Sequence, residues 1–525
     1  MYGLTRREFL RLNGAMVAGG LLVACGAAPS TTLSPSSGTP KRGGVLVVGQ
    51  DTSPPGIDPQ KNPAFATLNV TELMFTGLLR WNATESDVEP DLATRWEQPD
   101  DKTFKFFLRK DVKFHNGTPL TAEDVKFTFE RILNPATASP WKSNFAVIDK
   151  MAVLDDYTIV FSLSAPFAPF LRYLATPWYT AIVSKKDVEQ RGDLLKGGVG
   201  TGPFMLEEYQ PDSLVRLKKN PYYYEKGLPY LDGVDLKIIT DSSTRLAALR
   251  GGSVHMTWVT NPHEGIQMQT ASGVTVHFPD AYAYEEAICM DQTKPPFNDV
   301  RVRRALSVAI DRPQLIKVVH LGNGALGTKI PPASKPFAYP NPGQLPYYQR
   351  DVSKAKQLLA DAGYPQGLEV PFQVSPAYYQ DVPTAELIQQ QVAEAGIKLR
   401  IQQAEWGKVI GDFVGTKVPM SMIGTTWQPD PDGDVYAIYY SKSPINIGKW
   451  SDPEIDRLLQ EGRTTYDVTK RADIYHKIEY RVADQCYLIY PYNRGGFVEI
   501  WRNNVHGYAT TPGNHRVALR ETWLA

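Results

Sequence analysis

The second half of the chain alternates helical and extended patterns, and that alternation constrains the fold more than any other feature. Asp299 stands ahead of a run in which Val302, Leu306 and Ala309 recur on one helical face, with the intervening arginines expected outside. Residues 351–362 form a second helical stretch, closed by Gly363 and followed by Pro365. A third covers 383–396 and runs into an extended stretch at 397–403. Ser451, Asp452, Pro453 and Glu454 read as a capping box with proline inside the first turn. Helices alternating with short strands from residue 298 onward predict an α/β fold, a mixed sheet covered by helices.

At 525 residues the chain is too long for one core, so two or three lobes are expected. In the first half, residues 43–49 are a compact apolar strand bounded by glycines, and 51–59 is a proline-broken loop at its end. Residues 88–108 read as paired strands flanking a turn at 99–101. Thr121 with Asp124 starts a helix whose Val125, Phe129, Ile132 and Leu133 share one face. Lys+Arg and Asp+Glu balance at 56 each, which gives nucleic-acid binding no electrostatic footprint.

The N-terminus carries its own message. Thr5-Arg6-Arg7-Glu8-Phe9-Leu10 precedes an apolar run over 12–24 that is too short to span a bilayer but fits a signal peptide. The arginine pair resembles a twin-arginine export signal, and Leu22-Val23-Ala24-Cys25 resembles a lipobox with Cys25 as the lipidated residue. Residues 1–24 are therefore read as a leader, and the small, polar residues 25–42 as a flexible tether. Cys289 and Cys486 remain, either as one disulfide or as two buried thiols.

Residues 425–434 concentrate chemistry. Trp427, Asp430, Asp432 and Asp434 follow an apolar strand on a segment that Pro429, Pro431 and Gly433 bar from regular structure. A stacking surface with fixed negative charge at a strand end can hold a ligand; a solvated acidic turn is the plain alternative. The three aspartates mimic a calcium loop, but Val435 and Ser441 stand where glycine and glutamate are needed. Gly322-Asn323-Gly324-Ala325-Leu326-Gly327 satisfies a dinucleotide motif yet follows a helical stretch and leads into Pro331-Pro332. The eight histidines lack ligand spacing, so no metal or cofactor is expected. An enzyme using Asp430 and Asp432 as a carboxylate pair is a competing class.

Several ordered blocks resemble the family 5 extracellular solute-binding proteins. They are 88–96 with 108–125, Val199-Gly200-Thr201-Gly202-Pro203-Phe204 with 218–223, 243–252, and Lys294-Pro295-Pro296-Phe297-Asn298-Asp299-Val300-Arg301 running to Arg312. The resemblance covers essentially all of 43–525 and implies a two-lobed, periplasmic-binding-protein type II-like α/β fold. Lobe one would hold 43–77, 197–289 and 491–525, an inserted third domain 78–196, and lobe two 290–490. It also implies a monomeric extracytoplasmic receptor of an ABC importer that captures an oligopeptide or another small solute between closing lobes. Its partners would be the permease subunits, and it would meet the membrane only through the N-terminal lipid. Oligosaccharide, chelated metal and a membrane sensor as partner stay open.

The resemblance gives Asp430 a specific role, because an aspartate three residues after a tryptophan pairs with the solute ammonium in peptide-binding members; Trp427 becomes a wall. Thr52, Ser53, Tyr282, Tyr284, Tyr378 and Tyr379 are further candidates near the strand ends and the crossing between lobes. One departure stands out. Dipeptide receptors use an arginine in the loop matching 375–381 to hold the peptide carboxylate, and here Ser375-Pro376-Ala377-Tyr378-Tyr379-Gln380-Asp381 has no base.

Overall fold

The computed structural model describes residues 38–279, 281–425, 428, 430–446, 448–513 and 516–525. The leader, Cys25, most of the tether and Trp427 lie outside the described residues. Among the described residues no helix is long and apolar enough to cross a membrane.

Two seven-stranded sheets organise the molecule. The first runs in the order Val274–His277, Val498–Arg502, Met256–Val259, Val45–Gln50, Gly233–Ile238, Leu214–Lys219, Phe204–Gln210. Its centre is parallel, with Val45–Gln50 flanked in register by Gly233–Ile238 and Met256–Val259, and its outer pairs are antiparallel. The glycine-bounded apolar run at 43–49 is thus an interior strand, and Leu46 and Val48 sit in the core.

The second sheet runs Gly324–Leu326, Tyr492–Arg494, Tyr284–Met290, Met420–Thr425, Leu368–Val374, Ile397–Gln403, with Leu488–Ile489 also on Tyr284–Met290. Helix Val300–Ala309 packs its Val302, Leu306 and Ala309 into this core, and Asp299 accepts the Arg301 N–H at 2.8 Å. The arginines of that helix do not all face water. Arg303 is buried and donates to the carbonyls of Phe297 and Gln485, because its long side chain reaches a turn carbonyl ahead of its own helix and the last carbonyl of helix Val468–Gln485. In the later helix, Pro453–Thr464, the cap is Asp452 and not Ser451: its carboxylate takes the N–H groups of Glu454 and Ile455.

Between Leu78 and Phe204 a four-stranded antiparallel sheet, Ala93–Asp100, Thr103–Leu108, Thr158–Leu163 and Ile148–Asp155, packs against helix Ala122–Leu133. Alternation decides its face: Phe104, Phe106 and Leu108 are buried while Thr103, Lys105 and Phe107 are half-buried. The capping box of Thr121 and Asp124 is formed, and Phe129, Phe145, Phe161 and Phe170 fill the core.

The chain crosses between the two large sheets twice, between His277 and Tyr284 and between Arg494 and Val498. A boundary at 289 therefore lies too late: Tyr284–Met290 is a strand of the second sheet, where Ala287, Ile288 and Met290 are core. The two crossings touch. A side chain at Gly495 would begin 2.1 Å from the Pro279 ring, so only glycine lets them pass. Cys289 and Cys486 are free, buried thiols.

Candidate functional site

Strand Met420–Thr425 pairs antiparallel with Tyr284–Met290 and delivers the acidic loop to the edge of the inserted domain. The Asp430 carboxylate is fully buried. Arg471, on helix Val468–Gln485, donates from Nη1 to Oδ2 at 2.6 Å and from Nη2 to Oδ1 at 2.7 Å, and Arg172 of the inserted domain lies 3.3 Å from Oδ2. The Asp432 backbone N–H also donates to Asp430 Oδ1 at 2.9 Å. Burial pushes this carboxyl upward, but the Arg471 ion pair and hydrogen bonds, with Arg172, hold it below the ordinary carboxylate range.

Asp432 is engaged in the same way. Tyr173 donates its hydroxyl at 3.1 Å and Arg463 forms an ion pair at 3.0 Å, while burial raises the acid to about 6. Asp430, expected to meet a solute ammonium, is thus spent inside the protein: both oxygens are occupied by Arg471. The carboxylate pair of a hydrolase meets the same obstacle, since Asp430 and Asp432 are held by Arg471 and Arg463. The loop helps join the inserted domain to the second lobe: Tyr179 of the inserted domain donates to Gln428, and beside it, at the end of helix Pro453–Thr464, the Ala168 N–H donates to the Arg463 carbonyl at 2.7 Å and the Phe167 N–H to Tyr466 Oη at 3.0 Å.

A second constellation gathers at the crossings. On the first lobe, the Trp258 indole donates to Asp51 at the end of strand Val45–Gln50 and lies 6.2 Å from Phe497. Phe497 sits on one crossing and meets Tyr284 at 6.5 Å on the other side. Arg494 lies over the Tyr284 ring at 5.1 Å and donates from Nε to Glu286 Oε1 at 3.1 Å. Gln380 Nε2 donates to the same oxygen at 2.8 Å, and the Tyr379 hydroxyl meets His320 Nδ1 at 3.0 Å. Gly424 makes room for Glu286, whose carboxylate would lie 2.4 Å from a Cβ there.

The expected residues distribute unevenly around this constellation. Tyr284 and Tyr379 are drawn into it, and Tyr378 stands exposed beside it, edge-on to Trp406 at 5.1 Å. Thr52 is exposed next to Asp51, whereas the Ser53 hydroxyl is used locally, accepting the Asp212 N–H at 2.9 Å. Tyr282 is half-buried on the first crossing. Sequence reading missed Arg494, Glu286, Gln380, His320 and Trp258; the signal for the first two was position alone, since both flank a crossing.

Asp381 closes the loop that lacks a base. It opens helix Asp381–Ala393, is 1% exposed, and neither carboxylate oxygen has a hydrogen-bond partner. Burial, then the Glu286 charge, push it up to about 8, against the pull of Arg494. His320, also 1% exposed, has no partner for Nε2, and burial holds it near 3, so it is a neutral imidazole.

Two α/β lobes joined by two touching crossings, with loops from both lobes meeting there, define a two-lobed binding protein. Residues 87–446 match the family model of bacterial extracellular solute-binding proteins, family 5 (Middle), and the chain belongs to that family. It is 28% identical over 503 residues to di/tripeptide-binding protein 1 of Pseudomonas aeruginosa (strain UCBPP-PA14), covering 89% of this chain and 92% of that one. The ABC transporter-associated periplasmic binding protein DppA from Helicobacter pylori, in complex with the peptide STSA, superposes with a TM-score of 0.76 at 28% identity, over 92% of this chain and 98% of that one. The PBP AgaA from A.tumefacien R10, in complex with agropinic acid, superposes with a TM-score of 0.76 at 27% identity, over 92% of this chain and 99% of that one.

Proposed function

We propose that the chain is the extracytoplasmic receptor of an ABC importer, capturing a peptide between its lobes and delivering it to the permease. The observation that carries this is the meeting of loops from both lobes at the crossings, Asp51 and Trp258 on one side and Tyr284, Gln380 and Tyr379 on the other. A solute touching both sides favours the closed state by its differential contacts, and no bond is made or broken. The similarity to a di/tripeptide-binding protein and to a receptor holding the peptide STSA supports a peptide as cargo. Thr52, Tyr282, Tyr284, Tyr378 and Tyr379 line the proposed site; Asp430 positions the adjoining loop through Arg471 and makes no solute contact. The twin-arginine-like leader and Cys25 support export followed by lipid anchoring.

Native mass spectrometry of the protein purified from its own host tests this. One peptide per chain and a diacylglyceryl mass on Cys25 are expected. A solute-free chain that binds no member of a di- and tripeptide library would overturn the peptide reading, and an unmodified leader at residue 25 would remove the anchor.

A further inference from the structure

The Glu286–Arg494 pair is internally neutral. Arg494 donates to Glu286, Gln380 donates to the same carboxylate, and the Arg494 guanidinium covers the Tyr284 ring. Asp381 is the odd carboxyl beside that pair. Its two oxygens are buried with no donor aimed at them, although its helix places the favourable end of the dipole nearby. The groups that act on it are Glu286 and Arg494 by charge, and the phenols of Tyr378, Tyr379 and Tyr492 from the loop, the helix start and the neighbouring strand. None of these donates a hydrogen bond to it. His320, which meets the Tyr379 hydroxyl, is held neutral by burial and keeps Nε2 unused, so the imidazole brings no positive charge to the cluster.

A carboxyl group in such a place has two ways to be satisfied: it keeps a proton, or it receives a cation from outside. The surroundings suit a cation. Tyr378 and Tyr379 stand just ahead of the group on the same loop, and nearby Tyr284 already accommodates a guanidinium, that of Arg494. The position also suits a solute, since Tyr378 is 42% exposed three residues before Asp381 and the loop ends beside the crossings.

We propose that the captured peptide carries a cationic side chain, an ammonium or guanidinium group, and that Asp381 receives it on the second-lobe side of the crossings. This rests on the peptide-receptor reading above and names the chemistry of one side chain of the peptide. The Asp381 carboxyl gives its proton to the solvent as the cation arrives, so a neutral acid and a solute cation become an ion pair inside the closed site. The role assigned to the loop is the reverse of carboxylate capture by an arginine.

Lysine-containing tripeptides, with lysine at each position in turn, and their norleucine counterparts make the probe set. Calorimetry at pH 7 in two buffers of different ionisation enthalpy reads affinity and proton release together. In the wild-type protein, at least one lysine peptide is expected to bind ten-fold or more tighter than its norleucine partner and to release close to one proton; the norleucine peptide releases none. In Asp381→Asn the lysine-to-norleucine ratio falls to within about three-fold and the proton release disappears, while Asp381→Glu recovers part of both. Equal binding of lysine and norleucine peptides by the wild type, a ratio that survives Asp381→Asn, or tight lysine binding without proton release would each overturn the inference and leave the peptide receptor standing. Failure of every peptide to bind would overturn both readings.

Discussion

Asp430, on a loop, and Asp381, at the start of a helix, are both buried acids of the second lobe, and they are opposites. Asp430 is saturated: Arg471 grips it with two hydrogen bonds, Arg172 stands at 3.3 Å and a backbone N–H completes the shell. Asp381 has no hydrogen bond to either oxygen. The first joins the inserted domain to the second lobe, and the second sits at the crossings with unused capacity. An acid near a binding cleft is a candidate for a solute cation only while its valence is unspent, and that property depends on partners far along the chain.

The contrast can be broken by mutation. Asp430→Asn leaves the Arg471 guanidinium buried beside an amide, so it is expected to lower stability by ~3–5 kcal/mol in urea denaturation. Pairing it with Arg471→Met should recover part of that loss, because the unpaired charge is then gone. A stability change under about 1 kcal/mol in the single variant would mean the pair is not closed in solution.

Titration sharpens the same comparison, since the two acids should respond to pH with opposite sign. Asp430 is held below the ordinary carboxylate range, so its contribution is present at neutral pH and is lost as pH falls through the depressed value. Asp381 is raised to about 8, so the folded protein holds a proton that the unfolded chain gives up above about 3.8. Its contribution is complete below that point and declines as pH rises towards 8, by at most about 1.4 kcal/mol per pH unit. Solute-free Asp381→Asn should therefore lose one proton's worth of slope across this window, whereas identical profiles would return Asp381 to the ordinary range. The smallest effect is expected at Tyr173→Phe, which removes one hydroxyl donor to Asp432 and should cost about 1–2 kcal/mol, read as a shift of the denaturation midpoint.

Much of the scaffold is legible in local sequence. The Asp299 cap, the Thr121–Asp124 box and the alternation of Phe104, Phe106 and Leu108 each fix an element from residues a few places apart. The site is less legible, because its partners are not local. Arg471 lies on a helix that nothing in the loop announces, and Arg172 comes from another domain. Arg303 looks like a surface arginine in its helical pattern and is buried only because Gln485 and Phe297 present their carbonyls to it. The missing base in 375–381 was visible from sequence; that the loop ends instead in an unpartnered acid required the structure.

Hydrogen–deuterium exchange with and without a bound lysine-containing tripeptide tests the placement of the site most directly. Protection is expected in peptic fragments spanning residues 51–53, 284–286, 375–381 and 493–497, the loops and strand ends that meet at the crossings, with little change in helix Val468–Gln485 that carries Arg471. Protection centred on that helix and the 430–434 loop, with the crossings unchanged, would contradict the account.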